Sequence, residues 1–256
     1  MYRPRVIPVL LLDNDKLVKT VKFSSPKYIG DPINAVRIFN DLKADELVLL
    51  DISATAQQRS INLDLIKEIG EEANMPFSVG GGINSIESVK KLLSYGVERV
   101  IIGAEAVSNP DFVKKLCEEF GSSTISVCID YKKDFLGRIS VHSPNKKAIS
   151  QDPLKLALLM EEAGVGEIIM QSLSRDGAMN GYDMDFLKNI AKKLRIPMVA
   201  LGGASKKEDL ENLYRETGIN GLAAGSMFIY KGQMKGVLIN YPQVKTYSFS
   251  YERTGV

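Results

Sequence analysis

The chain has 256 residues, 25% of them charged and 45% apolar, with 33 Lys and Arg against 31 Asp and Glu. This is an ordinary globular composition, and the length suits one α/β barrel of about 250 residues better than two domains of about 150. A net charge of +2, no Trp and 7% aromatics supply neither the basic face of a nucleic-acid binder nor a base-stacking platform.

In chain order, the first apolar run, 6–12, is far shorter than the ~20 residues of a membrane helix. Asp13 and Asp15 follow at once, so neither a membrane span nor a signal peptide is expected. Seven more short apolar runs follow at 46–52, 77–79, 100–103, 125–130, 167–173, 198–201 and 221–225. Stretches of helical period, rich in Lys and Glu, lie between most of them: 34–42, 61–73, 86–95, 110–120, 153–163, 183–194 and 207–216. Continuous apolar strands alternating with amphipathic helices indicate a parallel sheet covered on its outside. With eight strands the sheet closes into a (β/α)8 TIM barrel filling one domain, 1–256. A doubly wound open sheet is the alternative, but no GxGxxG opens a first helix. The stretch 134–149 reads as a hairpin insertion after the fifth strand, and the tail after about 243 is expected to be disordered.

The two halves echo each other. Asp31-Pro32 recurs as Asp152-Pro153, Glu46 as Glu167 and Gly81-Gly82 as Gly202-Gly203, all at an offset of 121, and Gly103 recurs as Gly225 at 122. The barrel is therefore read as a doubled half-barrel.

Barrel chemistry sits at the C-terminal ends of the strands. Glycine-rich ends of strands three and four (Gly80-Gly81-Gly82, Gly103) and of seven and eight (Gly202-Gly203, Gly225-Ser226) let phosphate oxygens reach backbone N–H groups. Tight turning after a strand would also use glycine, but two symmetric pairs favour two cradles for a ligand with two phosphate ends. Ser174-Arg175-Asp176-Gly177 closes the second cradle. Asp130, at the end of strand five, is the candidate general acid or base. The equivalent place on strand one is Leu11, which cannot move a proton. At the opposite rim Arg5, Glu46, Arg99 and Glu167 start strands one, two, four and six, and could form a ring of zero net charge or be four unrelated surface charges. Cys117 and Cys128 lack metal or disulfide spacing and read as reduced thiols of a cytoplasmic protein. His142, the one histidine, argues against a Ser-His-Asp triad or a multi-histidine metal site and reads as an exposed hairpin residue. No metal or cofactor is expected.

From Arg5 to about Pro242 the chain resembles the cyclase subunit family of imidazole glycerol phosphate synthase. The motifs are Val6-Ile7-Pro8, Gly30-Asp31-Pro32, Ala44-Asp45-Glu46-Leu47-Val48, Val79-Gly80-Gly81-Gly82-Ile83, Arg175-Asp176-Gly177 with Gly181-Tyr182-Asp183, and Leu201-Gly202-Gly203-Ala204. The resemblance implies a bis-phosphorylated ligand, a glutaminase on the bottom face and ammonia conducted through the barrel. It assigns Arg5, Glu46, Arg99 and Glu167 to an ammonia gate, and Lys19 to the substrate loop. It implies substrate and phosphate binding by Lys19, Gly82, Gly103, Asp176, Gly177, Gly203, Gly225 and Ser226. Of the family's two catalytic aspartates Asp130 matches one, whereas Leu11 replaces the other. Gly103-Ala104 replaces an Asn-Thr pair.

These departures, with Leu10-Leu11-Leu12, Leu17-Val18-Lys19-Thr20-Val21, Pro26-Lys27-Tyr28-Ile29-Gly30-Asp31-Pro32 and Val237-Leu238-Ile239-Asn240-Tyr241-Pro242, resemble a paralogous branch. That branch is associated with amidation of sugars for bacterial surface polysaccharides, beside a separate ATP-dependent amidotransferase. The implied role is ammonia delivery, with cyclase activity weak or absent. The alternatives are a histidine-pathway cyclase with a rearranged base, and a phosphosugar isomerase of the related barrel family. Leu11 argues against both of these, and the charged ring argues further against the isomerase.

Overall fold

The computed structural model describes residues 3–143, 151–232, 234, 236–243 and 247–249. The first barrel strand, β1 (Arg5–Asp13), continues into a hairpin, β2 (Lys16–Val21) and β3 (Ser24–Gly30). Next come α1 (Pro32–Asp41), β4 (Leu47–Asp51), α2 (Leu63–Glu72), β5 (Phe77–Gly80), α3 (Ile86–Ser94), β6 (Arg99–Ile102), the short α4 (Ala104–Ser108) and α5 (Pro110–Phe120). The second half runs β7 (Ile125–Lys133), β8 (Ile139–Val141), α6 (Pro153–Glu162), β9 (Glu167–Ser172), α7 (Met184–Ala191), β10 (Met198–Leu201), α8 (Lys207–Thr217), β11 (Gly221–Ala224) and α9 (Ser226–Ile229). Neighbouring barrel strands pair in parallel from β1 through β4, β5, β6, β7, β9 and β10 to β11. The barrel closes where Arg5 pairs with Gly221 and Pro8 with Ala224. It is the expected eight-stranded (β/α)8 barrel.

Alternation along the strands divides the apolar residues in two. Val6, Leu10, Leu12, Leu47, Leu49, Val100 and Ile102 face the helices and join the large outer core. Ile7, Val9, Leu11, Val48, Ile101, Ile169, Val199 and Leu201 point inward and form a separate inner cluster. Continuous apolar strands are the signature of such two-sided burial.

The halves match in local geometry as well as in sequence. Asp31 caps α1 by accepting from Asn34 N–H, and Asp152 caps α6 by accepting from Leu154 N–H; Pro32 and Pro153 start the helices. A carboxylate cap and a proline at the first turn are both favourable there. Gly81 and Gly202 have φ of +134° and +104°, and Gly103 and Gly225 share φ near −105° before a short helix.

The segment after β1 is more regular than the sequence reading allowed. Lys19, expected on a loop, lies on β2, which pairs antiparallel with β1 (Leu11 opposite Val18). Asn14 and Asp15 make the turn with positive φ, a conformation these two residue types tolerate. Glu46, expected to begin a strand, precedes β4 by one residue. After β7 the chain turns through Asp134, whose carboxylate accepts from the N–H groups of Leu136 and Arg138, into the antiparallel β8. The last part of that insertion lies outside the described residues. So does most of the tail, although Phe249 stacks on Tyr247 and meets the ring of Tyr214 edge-on.

Candidate functional site

The C-terminal ends of the strands surround a cavity of about 420 Å³. Its lining includes Leu11, Asp51, Gly82, Gly103, Cys128, Asp130 and Gln171, with Thr20 and Phe23 from the β2–β3 hairpin and His142 just past β8. Asp130, which sequence placed at the end of strand five, is on β7 at the mouth. Burial pushes its carboxyl up to about 7, and Asp176 adds to the rise. Cys128 Sγ lies 3.7 Å from Asp130 Oδ1 and 3.5 Å from Gln171 Oε1. Burial also pushes the Cys128 thiol well up, which keeps it protonated and a hydrogen donor. Leu11 belongs to the inner apolar cluster and presents only aliphatic surface to the same cavity.

A smaller pocket of about 20 Å³ holds the second predicted cradle: Lys19, Asp176, Gly177, Gly203, Gly225 and Ser226. Lys19 is buried inside it, with Nζ donating to the Val9 carbonyl at 2.7 Å. Burial pushes its pKa down to about 8, against the pull of Asp176. Asp176 accepts from Thr20 Oγ1 at 2.7 Å and from Phe23 N–H at 3.3 Å, so it ties the β2–β3 hairpin across the mouth. Gly177 is required by that crossing, because at φ +64° a Cβ would strike the Thr20 carbonyl oxygen. The Gly82 side differs. Gly82 is held at φ +62° with the Arg59 carbonyl oxygen where its Cβ would be, whereas nothing stands within 4 Å of a Cβ on Gly103.

Sequence reading missed the group beside Gly82. Asp51 is buried, accepts from Ser53 and Ala54 N–H at 3.0 Å each, and pairs with Arg59 at 2.6 Å. Its one signal was an aspartate next to the end of an apolar run, close to the signal that marked Asp130. His142, read as exposed, is half-buried with its ring 6.2 Å from that of Phe23 in an edge contact, and burial lowers its pKa.

At the opposite rim the four charges meet. Arg5 Nη1 pairs with Glu46 Oε2 at 2.6 Å, and its Nη2 pairs with Glu167. Arg99 Nη1 stands 3.6 Å from Glu46 Oε1, and Arg99 Nε donates to the Ser123 carbonyl at 3.2 Å. Ser78 Oγ donates to Glu46 at 3.1 Å. Among the described residues these ion pairs form an open chain, Arg99–Glu46–Arg5–Glu167. Burial raises the pKa of Glu46 against the pull of Arg5. Among the described residues no cluster of His, Cys, Asp and Glu is fit to hold a metal ion, and no helix is long and apolar enough to cross a membrane.

A doubled (β/α)8 barrel with glycine cradles at one end and a charged cluster at the other defines the class. The family model described as "Histidine biosynthesis protein" matches residues 5–235. The chain is 46% identical over 247 residues to a Leptospira interrogans protein named "Putative imidazole glycerol phosphate synthase subunit HisF", covering 94% of this chain and 96% of that one. It is 45% identical over 245 residues to a Pseudomonas aeruginosa protein named "Putative imidazole glycerol phosphate synthase subunit hisF2", covering 95% and 98%. It is 34% identical over 231 residues to the "Imidazole glycerol phosphate synthase subunit HisF" of Streptococcus mutans, covering 90% and 92%. The chain belongs to the histidine biosynthesis protein family, as an HisF-like member.

Proposed function

We propose that this chain is an ammonia-delivering barrel. A glutaminase docks on the N-terminal rim, around exposed Glu98 and the Arg99–Glu46–Arg5–Glu167 chain. Ammonia passes the charged cluster, crosses the barrel and leaves at the mouth. There it serves amidation of a sugar in surface-polysaccharide synthesis, carried out in the cytoplasm by a separate ATP-dependent amidotransferase. The observation that carries the reading is Leu11. It stands where ring closure needs a second carboxylate, and each acid or base role contributes roughly 10²–10⁴ in rate. The remaining groups keep a phosphorylated ligand at the mouth in view, with Lys19 and the backbone at Gly177, Gly203, Gly225 and Ser226 as its anchors.

The second reading is a cyclase subunit acting in histidine biosynthesis. Asp130 favours it, since a carboxyl near 7 is poised to give and take a proton at neutral pH. One pair of measurements separates the two. The chain is mixed with the glutaminase of its own organism, and the complex and the glutamine turnover are measured at micromolar concentration. Ring closure of the bis-phosphate cyclase substrate is then assayed with ammonium supplied. Complex formation with raised turnover and little ring closure is expected. Failure to bind overturns ammonia delivery, and full ring closure that is lost in Asp130→Asn establishes the second reading.

A further inference from the structure

The two sides of the mouth differ in what their cations have left to give. Among the described residues Arg59 is the one arginine or lysine that lines the larger cavity. A guanidinium carries five N–H hydrogens, and all are taken. Nε donates to Gln57 at 2.7 Å, and Nη1 donates to Asp51 at 2.6 Å and to the Ser60 carbonyl at 3.2 Å. Nη2 donates to Asp51 at 3.3 Å and to Ser53 Oγ at 2.9 Å. Asp51 also cancels the charge. His142 is the other basic group of that lining, and burial, with Lys132 adding to it, lowers its pKa from 6.5, so the ring is uncharged at neutral pH. In the second cradle Lys19 gives one of its three hydrogens to the Val9 carbonyl, and among the described residues the others are uncommitted.

The carboxylates are distributed the other way. Glu105, half-buried, lines the larger cavity just past Gly103 and Ala104, and among the described residues its carboxylate joins no ion pair or hydrogen bond. A phosphate entering beside it would lose hydration next to a free negative charge and find no free cation in exchange. The other polar groups of that lining suit a different guest. Thr55, Gln58 and Asn84 are uncharged, and among the described residues their side chains have no hydrogen-bond partner. Amides and hydroxyls of this kind pair with hydroxyl groups, which both donate and accept. The cavity and the Lys19 cradle adjoin, since Leu11 and Gln171 line both.

We infer that the mouth takes a ligand phosphorylated at one end only, whose phosphate sits in the Lys19 cradle and whose uncharged, hydroxyl-bearing end fills the larger cavity, where Glu105 turns a second phosphate away. This rests on the reading that a phosphorylated ligand occupies the mouth, and not on ammonia delivery. It replaces the two-phosphate ligand that the paired glycines lead one to expect. Glu105 sets specificity and takes no part in bond making.

The test is calorimetric titration of the chain alone with inorganic phosphate, glucose monophosphate and glucose bisphosphate, in the native protein, Glu105→Gln and Glu105→Ala. In the native chain the monophosphate should bind more tightly than phosphate, through its hydroxyls, and the bisphosphate no more tightly than the monophosphate. Both variants should bind the bisphosphate about tenfold more tightly than the native chain does, with the affinity for phosphate unchanged. Tighter binding of the bisphosphate than of the monophosphate by the native chain overturns the inference and favours the cyclase reading. Indifference of the bisphosphate to both variants overturns it too, as does a monophosphate that binds no better than phosphate or a chain that binds none of the three. None of these titrations needs a glutaminase, so their failure in a chain that binds glutaminase leaves ammonia delivery standing.

Discussion

Lys19 Nζ fills the space that a side chain on Gly225 would need: a Cβ there would stand 2.6 Å from it. The ammonium is fixed in that place by the Val9 carbonyl, so the second cradle is closed by its own lysine. A phosphate entering between Gly203 and Gly225 would meet this cation directly. Gly225→Ala therefore displaces Lys19 from the cradle. Inorganic phosphate should bind about tenfold more weakly, a loss of about 1.4 kcal/mol. Titration calorimetry of native and variant reads this, and equal affinity would separate Lys19 from the cradle's function.

Asp130 makes stability depend on pH. Its carboxyl is raised by burial from 3.8 to about 7, so between those values the folded chain holds a proton that the unfolded chain has released. Stability from this group is complete below pH about 4 and is lost as pH rises through about 7. Asp130→Asn should leave the denaturation midpoint nearly unchanged at pH 4 and raise stability at pH 8. The part-exposed position limits the gain to about 1–2 kcal/mol, below the full linkage value. Urea melts of the two proteins at both pH values suffice, and a lower stability of the variant at pH 8 would contradict the assigned environment.

Removing Arg5 leaves Glu46 and Glu167 facing each other in a buried setting. Loss of one partner from a buried ion pair costs about 3–5 kcal/mol. Arg5→Met should thus lower stability by about 3 kcal/mol, because the arginine is part exposed while both glutamates are buried. Glu46→Gln should cost less, since Ser78 and Arg99 can still reach the amide oxygen. Equilibrium denaturation of both variants ranks them, and the reverse order would show that the chain of pairs is not held as described.

Gly82 and Gly103 line one cavity yet respond differently to a side chain. Gly82→Ala must abandon a left-handed conformation and push back the Arg59 backbone, so several kcal/mol of destabilisation is expected. Gly103→Asn enters open space and should cost less than about 1 kcal/mol. If this cradle lacks affinity for want of polar side chains, the same variant should bind sulfate more tightly than the native chain. Melting curves and sulfate titration test the pair, and similar losses of stability for both would refute the contrast.

Leu11→Asp returns a carboxylate to the mouth opposite Asp130. The native chain is expected to close the ring at least about a hundredfold more slowly than a two-aspartate enzyme. The variant should regain rate if the cavity accepts the substrate, and Asp130→Asn should abolish the regained part. Native turnover at the full rate, indifferent to Asp130→Asn, would mean that the chemistry uses a base other than these two positions.

The strand–helix alternation, the closed barrel and the twofold echo were legible in the sequence. They follow from local rules: apolar runs buried on both faces, amphipathic period, and Asp-Pro helix starts at Asp31-Pro32 and Asp152-Pro153. Asp130 and the four rim charges were legible because a strand's end and beginning fix which rim a residue reaches.

The sequence did not place Lys19 inside the second cradle, bring the β2–β3 hairpin to Asp176, pair Asp51 with Arg59, or set His142 against Phe23. Each of these joins segments distant in the chain or depends on how far a hairpin leans over the mouth. Local sequence determined which element each residue belongs to and which side of a strand it faces. Only the closed barrel decided which polar groups share a low-dielectric interior and which lack a partner, because burial and pairing depend on every strand at once.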